Sequence, residues 1–197
     1  MDLTTLPNIL TLSRIAAVPI IVLLFFLEMW FGHWWIAWIS LGLFIAAAVT
    51  DYIDGELARR TGQTSPMGRL MDPIADKMLV SACLLMLVGI DRISGLALIP
   101  TLIILTREIM VAGLREFLAE IRATGIPSSI LAKWKTTAQL AAIGFLIVGP
   151  HGPFGWPILE IGLVLLWIAG GLTVITGWQY TNSALSQIAA SLAGRGS

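Results

Sequence analysis

The sequence is poor in cysteine, histidine and charge, and each scarcity excludes a class of protein. One cysteine, Cys83, and two histidines occur among 197 residues, and charged residues make up 12%. A single cysteine supports neither an internal disulfide nor a thiolate metal site, so we expect Cys83 to be a small core residue. About a quarter of the residues of a soluble domain are charged, so the chain is unlike one. We also expect no nucleic-acid partner.

Apolar residues dominate instead, at 57% of the chain with a mean hydropathy of +0.87. Crossing a bilayer core takes about 20 apolar residues in a helix, and lipid leaves no water to satisfy free backbone groups. Six apolar runs are predicted spans, at residues 9–29, 34–50, 70–90, 96–114, 136–148 and 158–178. The first lacks a small-residue cleavage site and is predicted to be a helix. The pattern predicts an all-α fold, a bundle of six transmembrane helices forming one domain over residues 1–197.

Basic residues gather in alternate loops of this topology. Cytoplasmic ends of membrane helices are enriched in Lys and Arg. Six crossings would bring nine cations to one side: Arg14, Arg59, Arg60, Arg69, Arg115, Arg122, Lys133, Lys135 and Arg195. The opposite loops hold His33, Arg92 and His151, and neither histidine has a partner close in sequence. Both termini are therefore predicted to be cytoplasmic.

An acidic segment stands out from this apolar background. Residues 51–76 read DYIDGELARRTGQTSPMGRLMDPIAD. Its four aspartates are Asp51, Asp54, Asp72 and Asp76. The first two are three residues apart and the last two are four apart, so each pair shares a helical face. Gly62 and Pro66 break the chain between the pairs and allow the second to turn back on the first. The segment falls at the predicted cytoplasmic end of its two spans.

Four clustered carboxylates at a membrane interface need a counter-ion. Oxygen ligands without Cys or His favour Mg²⁺ or Mn²⁺, make Ca²⁺ a weaker candidate and disfavour zinc. The structural alternative is that the acids only form interfacial salt bridges with nearby Arg and Lys. A proton or cation pathway is a further alternative, but such a pathway would distribute acids through the depth of the membrane.

Small residues and a cation accompany the acids. Gly55 and Gly68 let a ligand approach the backbone closely. Arg59 follows Gly55 by one helical turn, and with Ala58 these residues would form a narrow slot, small on one wall and cationic on another. Such a slot suits a diphosphate bridged by metal ions.

The segment resembles the signature of the CDP-alcohol phosphotransferases, D-x-x-D-G-x-x-A-R, eight residues, then G-x-x-x-D-x-x-x-D. Every position and gap is kept. The resemblance implies a six-helix membrane bundle, usually a homodimer, whose four aspartates bind two divalent ions. It also implies that Asp76 is the catalytic base, deprotonating an acceptor hydroxyl that attacks the lipid-side phosphorus while CMP leaves. The positions that it assigns to the CDP-linked lipid are Asn8, Thr11, Gly55, Ala58, Arg59, Ser65 and Gly68.

The acceptor is indicated by other stretches. PNILTLSR, TREIMVAGLREFLA and KWKTTAQ resemble the branch of this family in bacterial inner membranes that joins CDP-diacylglycerol to sn-glycerol 3-phosphate. Arg107 lies inside an apolar run, where a cation is a site hypothesis by default. We predict that Arg107, Lys133 and Lys135 contact the acceptor phosphate. Snorkelling to headgroups and a role in setting topology are the alternatives for these cations.

Other functions stay open at this stage. Phosphatidylglycerol, giving cardiolipin, and inositol phosphate are alternative acceptors for the same chemistry. An ion or proton transporter would use the acids as its ion site and would not depend on a CDP-lipid. A non-catalytic scaffold is motivated by glycine-rich helix faces such as Gly170 and Gly171, but it leaves the four acids unexplained.

Overall fold

Helices account for nearly all of the regular structure. The computed structural model describes the backbone of residues 6–61, 66–121 and 130–195, and side chains within residues 12–50, 74–75, 77–121, 130–153, 155–189 and 191. The described helices are α1 (Leu6–Phe31), α2 (Trp34–Thr61), α3 (Pro66–Gly89), α4 (Leu98–Glu120), α5 (Ile130–Val148) and α6 (Ile158–Arg195). Short 3₁₀ turns precede α4 and α6, and no strand occurs within these ranges. The all-α prediction is confirmed.

Two helices extend well past the C-terminal ends of their predicted spans. α2 continues to Thr61 although its apolar run stops at residue 50, and α6 continues to Arg195 although its run stops at residue 178. Aspartate and glycine follow the apolar run of α2, and beyond them Glu56, Leu57, Ala58 and Arg59 are good helix formers, so the helix does not end where hydrophobicity does. α3 begins with Pro66, a residue well suited to the first turn because its missing N–H has no helical partner there.

Several helices have the character of membrane spans. Within the described residues, three helical segments are long and apolar enough to cross a membrane: Leu12–Phe31, Gly95–Glu120 and Ile158–Ala189. Shorter apolar helical stretches cover Trp34–Thr50 and Lys77–Gly89. Large apolar side chains on α4 are widely exposed, with Leu102 at 62% and Ile109 at 73%. Exposure of this kind is typical of lipid-facing surfaces and unusual for soluble monomers.

The chain divides into two compact units, and the first contains the acidic segment. Unit 1 comprises Met1–Ser94 and Leu140–Leu163. Within it α1 packs against both α2 and α3. The core includes Phe25, Phe44 and Leu84, and Cys83 is fully buried among them, which confirms it as a core residue. The tryptophans at the ends of α1 and α2, Trp30 and Trp34, are largely exposed, as interface anchors would be.

Three helix ends of unit 1 are tied together by one buried arginine. Arg92 follows α3, and its Nη1 donates to the carbonyl oxygens of Leu146, at 3.0 Å, and Ile147 in the last turn of α5. Its Nη2 donates to Glu28 Oε1 near the end of α1. Burial lowers the pKa of Arg92, and the adjacent Glu28 carboxylate opposes that shift. Carbonyls in the last turn of a helix lack helical partners, so Arg92 caps α5.

The Arg92 cluster also includes His151, whose Nε2 lies 3.2 Å from Glu28 Oε1. The sequence predicts an ordinary loop histidine at residue 151, and it places Arg92 in a loop opposite the side where the cations gather. The structure instead buries Arg92 and gives both residues a shared acidic partner that is distant in sequence. Because α1, α3 and α5 all end here, these three helices run in the same direction within unit 1.

Unit 2 comprises Gly95–Gln139 and Val164–Ser197 and is built on a close pairing of α4 with α6. The contacting pairs are Pro100 with Gly170, Arg107 with Gly177, and Arg115 with Tyr180. These pairs advance together along both helices, so α4 and α6 run parallel. A Cβ added at Gly170 would lie 2.7 Å from Pro100 Cβ. Glycine therefore allows the close approach, as small residues commonly do between membrane helices.

Candidate functional site

The four aspartates lie on two helices that contact each other in unit 1. Asp51 and Asp54 belong to α2, and Asp72 and Asp76 belong to α3. Both segments are helical, so spacings of three and four residues place each pair on one helical face, as the sequence predicts. The aspartate side chains lie outside the described residues.

Four of the predicted CDP-lipid positions lie on the same two helices as the aspartates. The backbones of Gly55, Ala58 and Arg59 lie near the end of α2, and the backbone of Gly68 lies near the start of α3. Those of Asn8 and Thr11 lie in the first turns of α1. Their side chains lie outside the described residues, and Ser65 lies outside them entirely. Since α1 and α3 both run toward Arg92, both begin at the opposite end of unit 1, where the α3 aspartates are.

Arg14 is a residue whose burial the sequence interpretation missed. It lies on α1 and is 1% exposed, although the loop pattern groups it with the cations that set topology. A guanidinium removed from water requires compensating partners. The available signal was its position inside the predicted span 9–29, because a cation within an apolar run marks a candidate site.

Two of the three predicted acceptor contacts come together in unit 2 around a carboxylate. Lys135 Nζ on α5 donates to Glu108 Oε1, and Arg107 Nη1 on α4 donates to the same oxygen at 3.1 Å. The Lys135 side chain is 7% exposed, Arg107 14% and Glu108 17%. Lys133 is exposed and forms no part of this pairing, since residues two apart point to different sides of a helix.

Arg107 is confined by packing as well as by charge. A Cβ placed at Gly177 of α6 would lie 3.1 Å from Arg107 Cγ and 3.7 Å from Nε, so the arginine stem runs against the bare backbone of this glycine. The Arg107 Nε–H finds no acceptor among the described residues. The sequence analysis did not identify Gly177 as a contact of Arg107, because a glycine inside a long apolar helix gives no local sign of what it contacts.

The signature aspartates are the donors that the sequence predicts for a metal ion. Among the residues whose side chains are described, no group of three or more His, Cys, Asp or Glu could hold a metal ion. The predicted donor set, Asp51, Asp54, Asp72 and Asp76, consists of carboxylates alone. Such oxygen donors fit a hard divalent cation.

The all-helical fold, with several apolar and widely exposed helices, suggests a membrane protein. The model of the CDP-alcohol phosphatidyltransferase domain matches residues 4–175. The chain therefore belongs to the CDP-alcohol phosphatidyltransferase family. Members of this family generally use divalent metal ions.

Three similar proteins share the name CDP-diacylglycerol–glycerol-3-phosphate 3-phosphatidyltransferase. The Cereibacter sphaeroides protein is 38% identical over 216 residues, covering 92% of this chain and 96% of the relative. The Rickettsia typhi protein is 43% identical over 178 residues, covering 89% and 94%. The Pseudomonas fluorescens protein is 38% identical over 182 residues, covering 91% and 89%. The likeness thus extends over nearly the whole length of each relative.

Proposed function

We propose that this chain transfers the phosphatidyl group of CDP-diacylglycerol to sn-glycerol 3-phosphate, giving phosphatidylglycerophosphate and CMP. The observation that carries the proposal is the complete family signature over residues 51–76, placed on two helices that contact each other. The name shared by relatives that match almost end to end supports this acceptor over others.

The aspartates have two tasks in this proposal. Asp51, Asp54, Asp72 and Asp76 hold two divalent ions, Mg²⁺ or Mn²⁺. When bound, the ions neutralise the diphosphate and stabilise the charge that develops during displacement at phosphorus. Asp76 also accepts the proton of the acceptor hydroxyl, whose oxygen forms a bond to the lipid-side phosphorus. The bond from that phosphorus to the CMP oxygen breaks, and CMP leaves with the bonding electrons.

The CDP-linked lipid is held by the neighbouring positions of α1 to α3. Gly55 and Gly68 leave room for the ligand beside the backbone, and Arg59 supplies a positive charge for the diphosphate. The remaining proposed contacts are Asn8, Thr11, Ala58 and Ser65.

The acceptor phosphate is assigned to the cationic cluster of unit 2. Arg107 and Lys135 both donate to one carboxylate oxygen, and two cationic side chains that converge in this way favour binding of an anion. Lys133 is exposed on the same helix as Lys135 and is the third proposed contact.

We extend the proposal to topology and assembly. All six helices cross the inner membrane, and both termini and the active site are cytoplasmic. Successive helices that cross a membrane alternate in direction. The parallel course of α4 and α6, and the common direction of α1, α3 and α5 within unit 1, support this arrangement. The homodimer, which the family resemblance implies, and the single domain over residues 1–197, which the sequence pattern predicts, are part of the same proposal.

An acceptor panel tests the proposal. Purified protein in detergent micelles containing CDP-diacylglycerol should release CMP only when sn-glycerol 3-phosphate and Mg²⁺ or Mn²⁺ are both present. Phosphatidylglycerol and inositol phosphate serve as competing acceptors at equal concentration. Preferred use of either one would refute the acceptor assignment, and CMP release that is independent of any metal would refute the proposed metal site.

A further inference from the structure

The cationic cluster of unit 2 is organised by an acid to which the proposed reaction assigns no part. Glu108 Oε1 accepts a hydrogen bond from Arg107 on its own helix and another from Lys135 on α5. Two cations that converge on a single carboxylate oxygen are held at a fixed separation. Glu108 therefore sets where both positive charges lie.

Burial makes this arrangement necessary. Lys135 and Arg107 are largely removed from water, at 7% and 14% exposure. Like charges close together in such surroundings repel, and the Glu108 carboxylate between them offsets that repulsion. Without the Glu108 charge, the repulsion would move the two cationic groups apart, and their donors would no longer converge.

Gly177 limits Arg107 from the other side. The arginine stem lies against the α6 backbone, where a Cβ would come within 3.1 Å of Arg107 Cγ. The guanidinium is thus fixed between Glu108 and α6, while its Nε–H has no acceptor among the residues that the structure describes. Arg107 therefore keeps donor capacity beyond its bond to Glu108.

We propose that Glu108, together with Gly177, is a positioning residue for the acceptor phosphate, because it holds Arg107 and Lys135 at the spacing that lets both bind one phosphate group. The inference rests on the proposed function for its substrate. Glu108 acts through the two cations and not by contact with the phosphate, because its carboxylate and the phosphate are both negatively charged and would repel each other.

The test compares Glu108→Gln with Glu116→Gln, which removes the same charge from an exposed position on the same helix. Glutamine keeps an acceptor oxygen but loses the charge. In Glu108→Gln the KM for sn-glycerol 3-phosphate should rise about tenfold, the order expected for loss of one charge-assisted interaction. The kcat and the KM for CDP-diacylglycerol should stay within about twofold of the wild-type values. Glu116→Gln should match the wild type throughout.

A second pair of variants covers the event that Glu108→Gln does not fold. Gly177→Ala brings a methyl group against Arg107, whereas Gly171→Ala adds one to the same helix where nothing lies within 4 Å. Gly177→Ala should raise the acceptor KM selectively, and Gly171→Ala should not. If Gly177→Ala behaves like Gly171→Ala when Glu108→Gln does not fold, the proposal is overturned.

Direct binding separates this inference from the proposed function. Calorimetry of the detergent-solubilised protein with inorganic phosphate should give a dissociation constant about tenfold weaker for Glu108→Gln than for the wild type. An unchanged or tighter constant, or a wild type that binds no phosphate, overturns the positioning role. Equal losses in kcat and in both KM values would also overturn it. A wild type that binds phosphate but does not use sn-glycerol 3-phosphate contradicts the proposed function alone.

Discussion

Two ionic clusters, one in each unit, are built alike, and we propose that they serve different functions. In unit 1, Glu28 Oε1 is shared by Arg92 and His151, and in unit 2, Glu108 Oε1 is shared by Arg107 and Lys135. Each is a carboxylate oxygen between two basic side chains in largely buried surroundings. Charge and burial alone therefore do not distinguish a structural cluster from a binding site.

The difference lies in what the arginines do with their remaining donors. Arg92 also donates to two carbonyls in the last turn of α5, so its guanidinium is committed to joining helix ends. Arg107 lies within α4, where backbone groups are already satisfied, and its Nε–H has no acceptor among the described residues. Donors committed to backbone indicate a structural tie, whereas spare donors indicate a place for a ligand.

Substitution of an acid with a chemical role should reduce activity far more than a substitution in either cluster. Asp76→Asn keeps the size of the side chain but removes the proposed base. We expect kcat to fall roughly 10³-fold, within the range typical of general base catalysis. The measurement is CMP release at saturating substrates and metal. Asp91→Asn, an exposed acid outside both clusters, is the matched control, and Asp76→Asn with full turnover would show that the base is another group.

Arg92→Met should break the structural cluster. The change leaves Glu28 buried without its guanidinium and removes the cap of α5, so we expect a loss of about 3 kcal/mol in the free energy of unfolding. Thermal or denaturant unfolding in detergent measures this loss. The acceptor KM of the folded fraction should not change. An acceptor KM that rises without any loss of stability would place Arg92 in the binding site and end the distinction between the clusters.

Arg107→Met should have the opposite signature. The methionine keeps much of the stem that packs against Gly177 but removes the charge and donors. The acceptor KM should rise on the order of tenfold or more, because a charged hydrogen bond to the phosphate is lost. Stability should fall less than in Arg92→Met, because Lys135 continues to compensate Glu108. Steady-state kinetics with varied sn-glycerol 3-phosphate measures the acceptor KM. Equal acceptor KM values in Arg107→Met and Arg92→Met would refute the distinction between the two clusters.

The smallest effect is expected at His151. Its Nε2 contacts Glu28 at 3.2 Å, but the side chain is 25% exposed and Arg92 remains on the same oxygen. His151→Gln should lower the free energy of unfolding by about 1 kcal/mol or less, and it should leave both KM values unchanged. A loss as large as that of Arg92→Met would mean that the histidine, and not the arginine, holds the cluster together.

The contrast also explains what could be predicted from the sequence. Hydrophobic runs and helical spacing are local, so six helices and the helical spacing of Asp51 with Asp54 and of Asp72 with Asp76 follow from the pattern. Helix ends such as Arg195 do not, because good helix formers continue past the apolar residues. The Glu28–Arg92 tie and the contact of Arg107 with Gly177 join residues far apart in the chain. Only the folded chain brings such residues together.

The most direct test of the central claim follows the acceptor oxygen. The protein is incubated with CDP-diacylglycerol, Mg²⁺ and sn-glycerol 3-phosphate that carries ¹⁸O in its free hydroxyls. The masses of the products are then measured by mass spectrometry. The account predicts phosphatidylglycerophosphate that retains the label and CMP that carries none, since the acceptor oxygen forms the new bond to the lipid-side phosphorus. Absence of the labelled lipid, or appearance of the label in CMP, would contradict it.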